Sequence, residues 1–228
     1  ADARALEHAL AAAQRLLTLN DSSPVGHLSL GTVYLWQKQY EQAIAEMKQA
    51  IALDPNNAGI YAQRAEVLNV TGRPEEALRA AEYAMRLNPR GNGGEFITLA
   101  SAYHLLGRCT EAISTLKSLL VRYPDWPSAY PMLSVNYVRQ WAFQQSQDAH
   151  TLTQALEAAQ RAVALNGSYG FAHAALGYSY LFQRQYEQAI SEMEKVVGLA
   201  PSDADGYAVL ALVLSHAGKS GEALGMVE

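Results

Sequence analysis

"YLWQKQYEQAIAEM", Tyr34 to Met47, returns as "YLFQRQYEQAISEM", Tyr180 to Met193, with eleven of the fourteen positions identical. An alanine preceding an apolar stripe recurs at Ala9, Ala43, Ala77, Ala112, Ala155, Ala189 and Ala223, at spacings of 34, 34, 35, 43, 34 and 34. The copies lie 146 residues apart, which is four units of 34 and ten extra residues, one near Asn92 and nine between Trp141 and Thr153. They therefore occupy the same phase of an internal repeat.

A second column, Gly31, Ala65, Ala100, Ser134, Gly177 and Ala211, holds only small residues, as a close approach of two helices requires. Leu30, Leu99, Leu133, Leu176 and Leu210 precede it, and Tyr34, Leu68, Tyr103, Tyr137, Tyr180 and Leu214 follow three residues later. Large and small side chains thus alternate at one-turn spacing on one helical face. His27, Tyr61, Phe96, Tyr130, His173 and Tyr207 begin these helices. Pro55, Pro89, Pro124 and Pro201 close units, since proline cannot continue a helix. Gly72, Gly107 and Gly218 fall midway, where a left-handed residue lets the second helix turn back. Each unit reads as a helical hairpin.

These residues resemble the tetratricopeptide repeat: the small residue with Leu before it and Tyr after it, then the Ala, then the closing Pro. The likeness covers nearly the whole chain. Departures are Arg64 where Leu is usual, Asp21 and Gly167 in place of the closing Pro, and the nine-residue insertion. The resemblance implies an all-α, α-α superhelix, a right-handed solenoid of about six hairpins with the first helices lining its concave side. A lone hairpin cannot bury its stripe, so neighbours stack. We expect a single solenoid over residues 1–228, with units near 1–23 (second helix only), 24–57, 58–92, 93–126, 127–169 (insertion 142–152), 170–203 and 204–228 (truncated). The chain starts inside a second helix, Ala3 to Leu19, and stops soon after Ala223, leaving apolar ends. This reads as a fragment of a longer protein, or as ends that pack on another copy.

At 228 residues, half of them apolar, the chain can bury a sizeable core. Lys and Arg number 17 against 22 Asp and Glu, so the basic excess that nucleic acid demands is missing. No apolar run approaches the roughly 18 to 20 residues that span a bilayer, so no membrane insertion is expected. The single cysteine, Cys109, leaves the redox compartment undecided. No signal peptide opens the chain, so a cytoplasmic location is expected; residue 1 is not Met, which leaves open a periplasmic or secreted location through export of a longer precursor.

The stretch "WAFQQSQDAHTLTQ", Trp141 to Gln154, has two readings: an extra binding element using Trp141 and Phe143, or a lengthened hairpin whose aromatics pack on a neighbouring helix. Thr151 and Gln154 fit a capping box, which starts the second helix near Leu152. His27 and His173 are expected to pack in the aromatic column. No two histidines have ligand spacing, so neither metal nor cofactor is expected. "RGNGGEF", Arg90 to Phe96, is an extended inter-repeat loop, because a phosphate loop would need a preceding strand and a Lys-Ser/Thr pair. Cys109 is a small filler with no histidine near in sequence. Intrinsic catalysis is not expected.

The groove-facing set begins with Val25, Leu28, Thr32, Leu35 and Trp36, then Gln63, Glu66 and Asn69, then Ile97, Ser101 and His104. It continues with Met132, Val135 and Arg139, then Phe171, Tyr178, Leu181 and Phe182, then Val209, Leu212 and His216. Two apolar patches result, around Trp36 and around Tyr178 with Phe182. Tetratricopeptide proteins that hold acidic chaperone tails use Lys, Arg and Asn in this groove. Here Lys is absent, and Asn69 and Arg139 stand alone. The expected ligand is a protein or peptide, an extended segment or amphipathic helix, with apolar anchors. Alternatives are assembly into a homo-oligomer through the end faces, or a regulatory domain of a larger signalling enzyme. "LNVTGRPEEALRAAEYAMRLNPR" and "YLWQKQYEQAIAEM" resemble repeat arrays joined to bacterial signalling domains, including nucleotide cyclases.

Overall fold

A computed structural model describes residues 3–143, 148–219 and 221. Among the described residues there are twelve α-helices and no strand. They are α1 (Ala3–Leu19), α2 (Pro24–Trp36), α3 (Tyr40–Leu53), α4 (Ala58–Val70), α5 (Pro74–Leu87) and α6 (Gly94–Leu105). The order continues with α7 (Cys109–Arg122), α8 (Ala129–Phe143), α9 (Ala149–Leu165), α10 (Gly170–Phe182), α11 (Tyr186–Leu199) and α12 (Ala204–His216). Two compact units hold them, residues 1–108 with α1 to α6 and residues 109–228 with α7 to α12.

The punctuation in the sequence is visible in the backbone. Gly72, Gly107 and Gly218 have φ of 69°, 74° and 76°, and in the two copied passages Lys38 and Arg184 adopt the same left-handed conformation at φ 60°. The turn that follows is common to all five. The amide of Gln39 donates to Tyr34 O at 2.8 Å, as Arg73 does to Leu68 O, Arg108 to Tyr103 O, Gln185 to Tyr180 O and Lys219 to Leu214 O. These bonds satisfy carbonyls that the helix end would otherwise strand. Second helices stop two residues before each closing proline. Asp54, Asn88 and Ala200, which precede three of them, are extended at φ near −140°, −131° and −140°. Side chains of Ser23, Asn57 and Asp203 cap the next helix by accepting from Gly26, Gly59 and Asp205 amides.

Packing follows the alternation of size. In the first unit, α2 pairs with α3 and α4 with α5, and α2, α4 and α6 run as neighbours. A Cβ on Gly31 would lie 2.9 Å from Met47 Cε and 3.3 Å from the Ala43 carbonyl oxygen, so the missing methyl is the space that Met47 fills. The next hairpin divides the same space differently, with Ala65 and Ala81 in one buried cluster with Met47 and Leu68. In the second unit α8 pairs with α9 and α10 with α11, and Gly177 repeats the first arrangement with Met193 Cε 2.7 Å from the position of its absent Cβ. Met193 joins Leu210, Val213 and Leu214 in a buried cluster.

The insertion lengthens both helices of its hairpin. α8 runs four residues past the phase at which the other first helices stop, and α9 begins three residues before the usual phase. The expected start of α9 near Leu152 is corrected to Ala149. The Asp148 side chain accepts from the His150 amide at 2.9 Å and caps the helix three residues earlier. Residues 144–147 of the insertion, and Ala223 of the alanine column, lie outside the described residues.

Candidate functional site: the first-helix faces

In the first unit, polar side chains tie the first helices together. Thr32 Oγ1 donates to Gln63 Oε1 at 2.7 Å, joining α2 to α4, and Asn69 Nδ2 donates to the Thr98 carbonyl at 3.0 Å, joining α4 to α6. Three residues of the expected groove, Thr32, Gln63 and Asn69, are therefore occupied in holding adjacent helices. Asn69 Oδ1 is buried without a partner. Leu28 and Leu35 pack half-buried against the core cluster. Ser101 and His104 are half-buried on α6. The open apolar residues of the set are Trp36 and Val25, each 60% exposed. Glu66 is accessible on α4, yet surrounding protein shields it enough from water to raise its carboxyl above the usual range.

In the second unit the expected residues separate along the helices. Leu181, expected in the groove, is buried in the core, where its side chain packs in one cluster with Ile190 and Leu214. Val135 and Tyr178 are half-buried against core clusters, and burial raises the Tyr178 hydroxyl's pKa. Met132 is half-buried, and its carbonyl accepts from Asn136 Nδ2 at 2.8 Å. The Arg139 guanidinium lies 5.9 Å from the Phe143 ring centre. Phe182 meets Trp141 edge to face at 6.0 Å. With Leu181, Arg184, Tyr186 and His216 these two rings line a hollow of about 280 Å³ at the C-terminal ends of the first helices. Phe171, eleven residues before Phe182, opens instead into an apolar hollow of about 270 Å³ with Val196 and Val209. Leu212 is 46% exposed between those levels.

The two histidines of the aromatic column do more than pack. His173 Nδ1 lies 2.6 Å from Glu192 Oε2, and its Nε2 lies 2.9 Å from the Gly167 carbonyl oxygen. His27 repeats the pattern with Glu46 at 2.7 Å and Asp21 O at 3.2 Å. Each ring thus joins a first helix to its own second helix and to the loop behind, where Asp21 and Gly167 replace the closing proline. Sequence reading missed Glu46 and Glu192. The signal was available, since both copies carry Glu nineteen residues after the His.

Other candidates resolve into structure. Glu95 is buried, and its Oε2 accepts from the Asn92 amide at 2.8 Å, so a side-chain carboxylate already occupies the start of α6. Cys109 is buried, which raises its thiol pKa away from the reactive thiolate. Among the described residues no three His, Cys, Asp or Glu side chains converge as a metal site would need, and no helix is long and apolar enough to cross a membrane.

Stacked hairpins with a constant small-residue seam define a helical-repeat scaffold. Tetratricopeptide-repeat family models match residues 31–69, 98–125 and 172–203. The chain carries tetratricopeptide repeats, a fold that serves protein-protein interaction. It is 34% identical over 82 residues to Protein STIP1 homolog of Dictyostelium discoideum, covering 36% of this chain and 14% of that protein. It is 32% identical over 93 residues to human Tetratricopeptide repeat protein 33, covering 41% of this chain and 35% of the relative. The match therefore spans well under half the length of either curated relative. Among solved structures, the APC/C hetero-tetramer Cut9-Hcn1 aligns over 97% of this chain and 42% of its own, at 21% identity and TM-score 0.81. YrrB, a TPR protein with an unusual peptide-binding site, aligns over 91% of this chain and 98% of its own, at 18% identity and TM-score 0.60.

Proposed function

We propose that this array is a non-catalytic scaffold whose first-helix faces hold a peptide or helix through apolar anchors. The observation that carries the reading is the Trp141–Phe182 hollow. Two half-buried aromatic rings line a hollow of about 280 Å³, large enough for one apolar side chain, with the cationic Arg184 at the rim. Burying such a side chain contributes about 1.5–3 kcal/mol, so a few anchors supply most of an affinity. On the first unit the exposed Trp36 offers a second anchor point of the same kind.

Selection of peptides from a random library on the whole chain tests this. Enriched peptides are expected to share large apolar residues, to shift tryptophan emission on binding, and to bind about tenfold more weakly when Phe182 is Ala. Enrichment of charged peptides whose affinity ignores both Phe182→Ala and Trp36→Ala would overturn the reading.

A further inference from the structure

Where the copied repeats place Glu46 and Glu192, the second hairpin has Ala80. The smaller side chain leaves a hollow of about 450 Å³ between α4 and α5, lined by Tyr61, Arg64, Arg79, Tyr83 and Arg86. The Tyr61 and Tyr83 rings lie 4.5 Å apart, and the Arg86 guanidinium sits 5.2 Å from the Tyr83 ring centre. Arg64 holds the column position that is Leu at residues 30, 99, 133, 176 and 210. Its Nε is buried with no hydrogen-bond partner, and among the described residues no carboxylate pairs with Arg64, Arg79 or Arg86. Two carboxylates also border the hollow. Glu76 is bound by Arg73 at 2.7 Å, and Glu82 lies 3.4 Å from the Tyr103 hydroxyl. Three guanidinium groups against one carboxylate without an ion pair leave the hollow cationic.

An arginine in a packing position where its neighbours use leucine forfeits burial of an apolar side chain and strands a donor. Guanidinium forks match planar oxyanions, and the hollow exceeds the roughly 30 Å³ share of a water many times over. We propose that this hollow is a second binding site, separate from the first-helix faces, that takes an oxyanion carried on a peptide: the carboxylate of an acidic residue or the phosphate of a phosphoserine. Arg64 and Arg79 hold the oxygens, and the Tyr61 and Tyr83 rings cover the adjoining peptide carbons.

The test titrates the whole chain, by calorimetry and by the Arg Nε–H resonances, with three blocked peptides: Gly-Glu-Tyr-Gly, its Gln counterpart, and the version with phosphoserine for Glu. At least one acidic peptide is expected to bind with the Gln peptide about tenfold weaker, and the tighter acidic peptide identifies the source of the oxyanion. R79Q is expected to weaken binding about tenfold at unchanged thermal stability. R64L, which restores the common residue, is expected to raise the melting temperature while weakening binding similarly. F182A, which removes the apolar anchor site, leaves this titration unchanged, so the two sites fail separately. Equal binding of the Gln peptide, wild-type affinity in both R64L and R79Q, or no saturation by either acidic peptide at about 1 mM overturns the proposal.

Discussion

His173 and Glu192 form a 2.6 Å hydrogen bond between α10 and α11 with side chains only 6% and 11% exposed, whereas His27 and Glu46 form the same bond at 17% and 23%. A buried partner left alone costs more than one that water can reach. His173→Ala should therefore lower stability by about 1–3 kcal/mol and His27→Ala by about 0.5–1.5 kcal/mol, read from urea unfolding. Equal losses would mean that burial does not set the strength of the pair.

Two carboxylates should respond to acid with opposite signs. Burial raises the Glu192 pKa, but hydrogen bonds from His173 and Lys195 and their charges outweigh it, so the carboxyl lies below the usual range. Its contribution is complete above the unfolded value near 4.3 and fades as pH falls through the lower folded value. Glu66 is raised by burial, so its charge opposes folding as pH rises past the unfolded value. Difference curves of stability against pH between wild type and Glu192→Gln should rise with pH across the carboxylate range. Those for Glu66→Gln should fall.

Lys38 and Arg184 hold a left-handed backbone at φ 60°, where three other hairpins use glycine. Replacing either by Gly removes the Cβ conflict and should stabilise its hairpin by about 0.5–1 kcal/mol, net of the greater freedom glycine has when unfolded. Thermal melts of Lys38→Gly and Arg184→Gly measure this directly.

Met47 fills the space above Gly31, and Met47→Ala should cost about 2–5 kcal/mol through the cavity it opens. Adding Gly31→Ala should recover part of that loss, because Ala65 with Ala81 shows that the seam accepts two alanines. In the presence of Met47, Gly31→Ala alone should be destabilising, so a double-mutant cycle is expected to show coupling between the two sites.

The fold was legible because one rule is written six times. The small residue, the large one three positions later and the proline each recur, and α1 falls on Ala3–Leu19 as its alanine phase indicates. The start of α9 was misread because Thr151 and Gln154 satisfy a capping rule locally while Asp148, three residues upstream, meets the same need first. Phase alone assigned Leu181 to the groove and gave no sign that its side chain reaches the core. Nor does the helical period reveal that Thr32 and Asn69 spend their hydrogen bonds on the next helix. The His–Glu pairs were invisible to a scan for ligand spacing, because nineteen residues separate partners on different helices.

The Gly31–Met47 and Gly177–Met193 seams are interchangeable parts. A splice joining Met47 directly to Glu194 would delete the intervening residues and still set a glycine opposite a methionine at the joint. An array built this way can be shortened or extended by whole hairpins, so its reach is a property that inheritance can edit while the glycine–methionine fit inside the hairpin is kept.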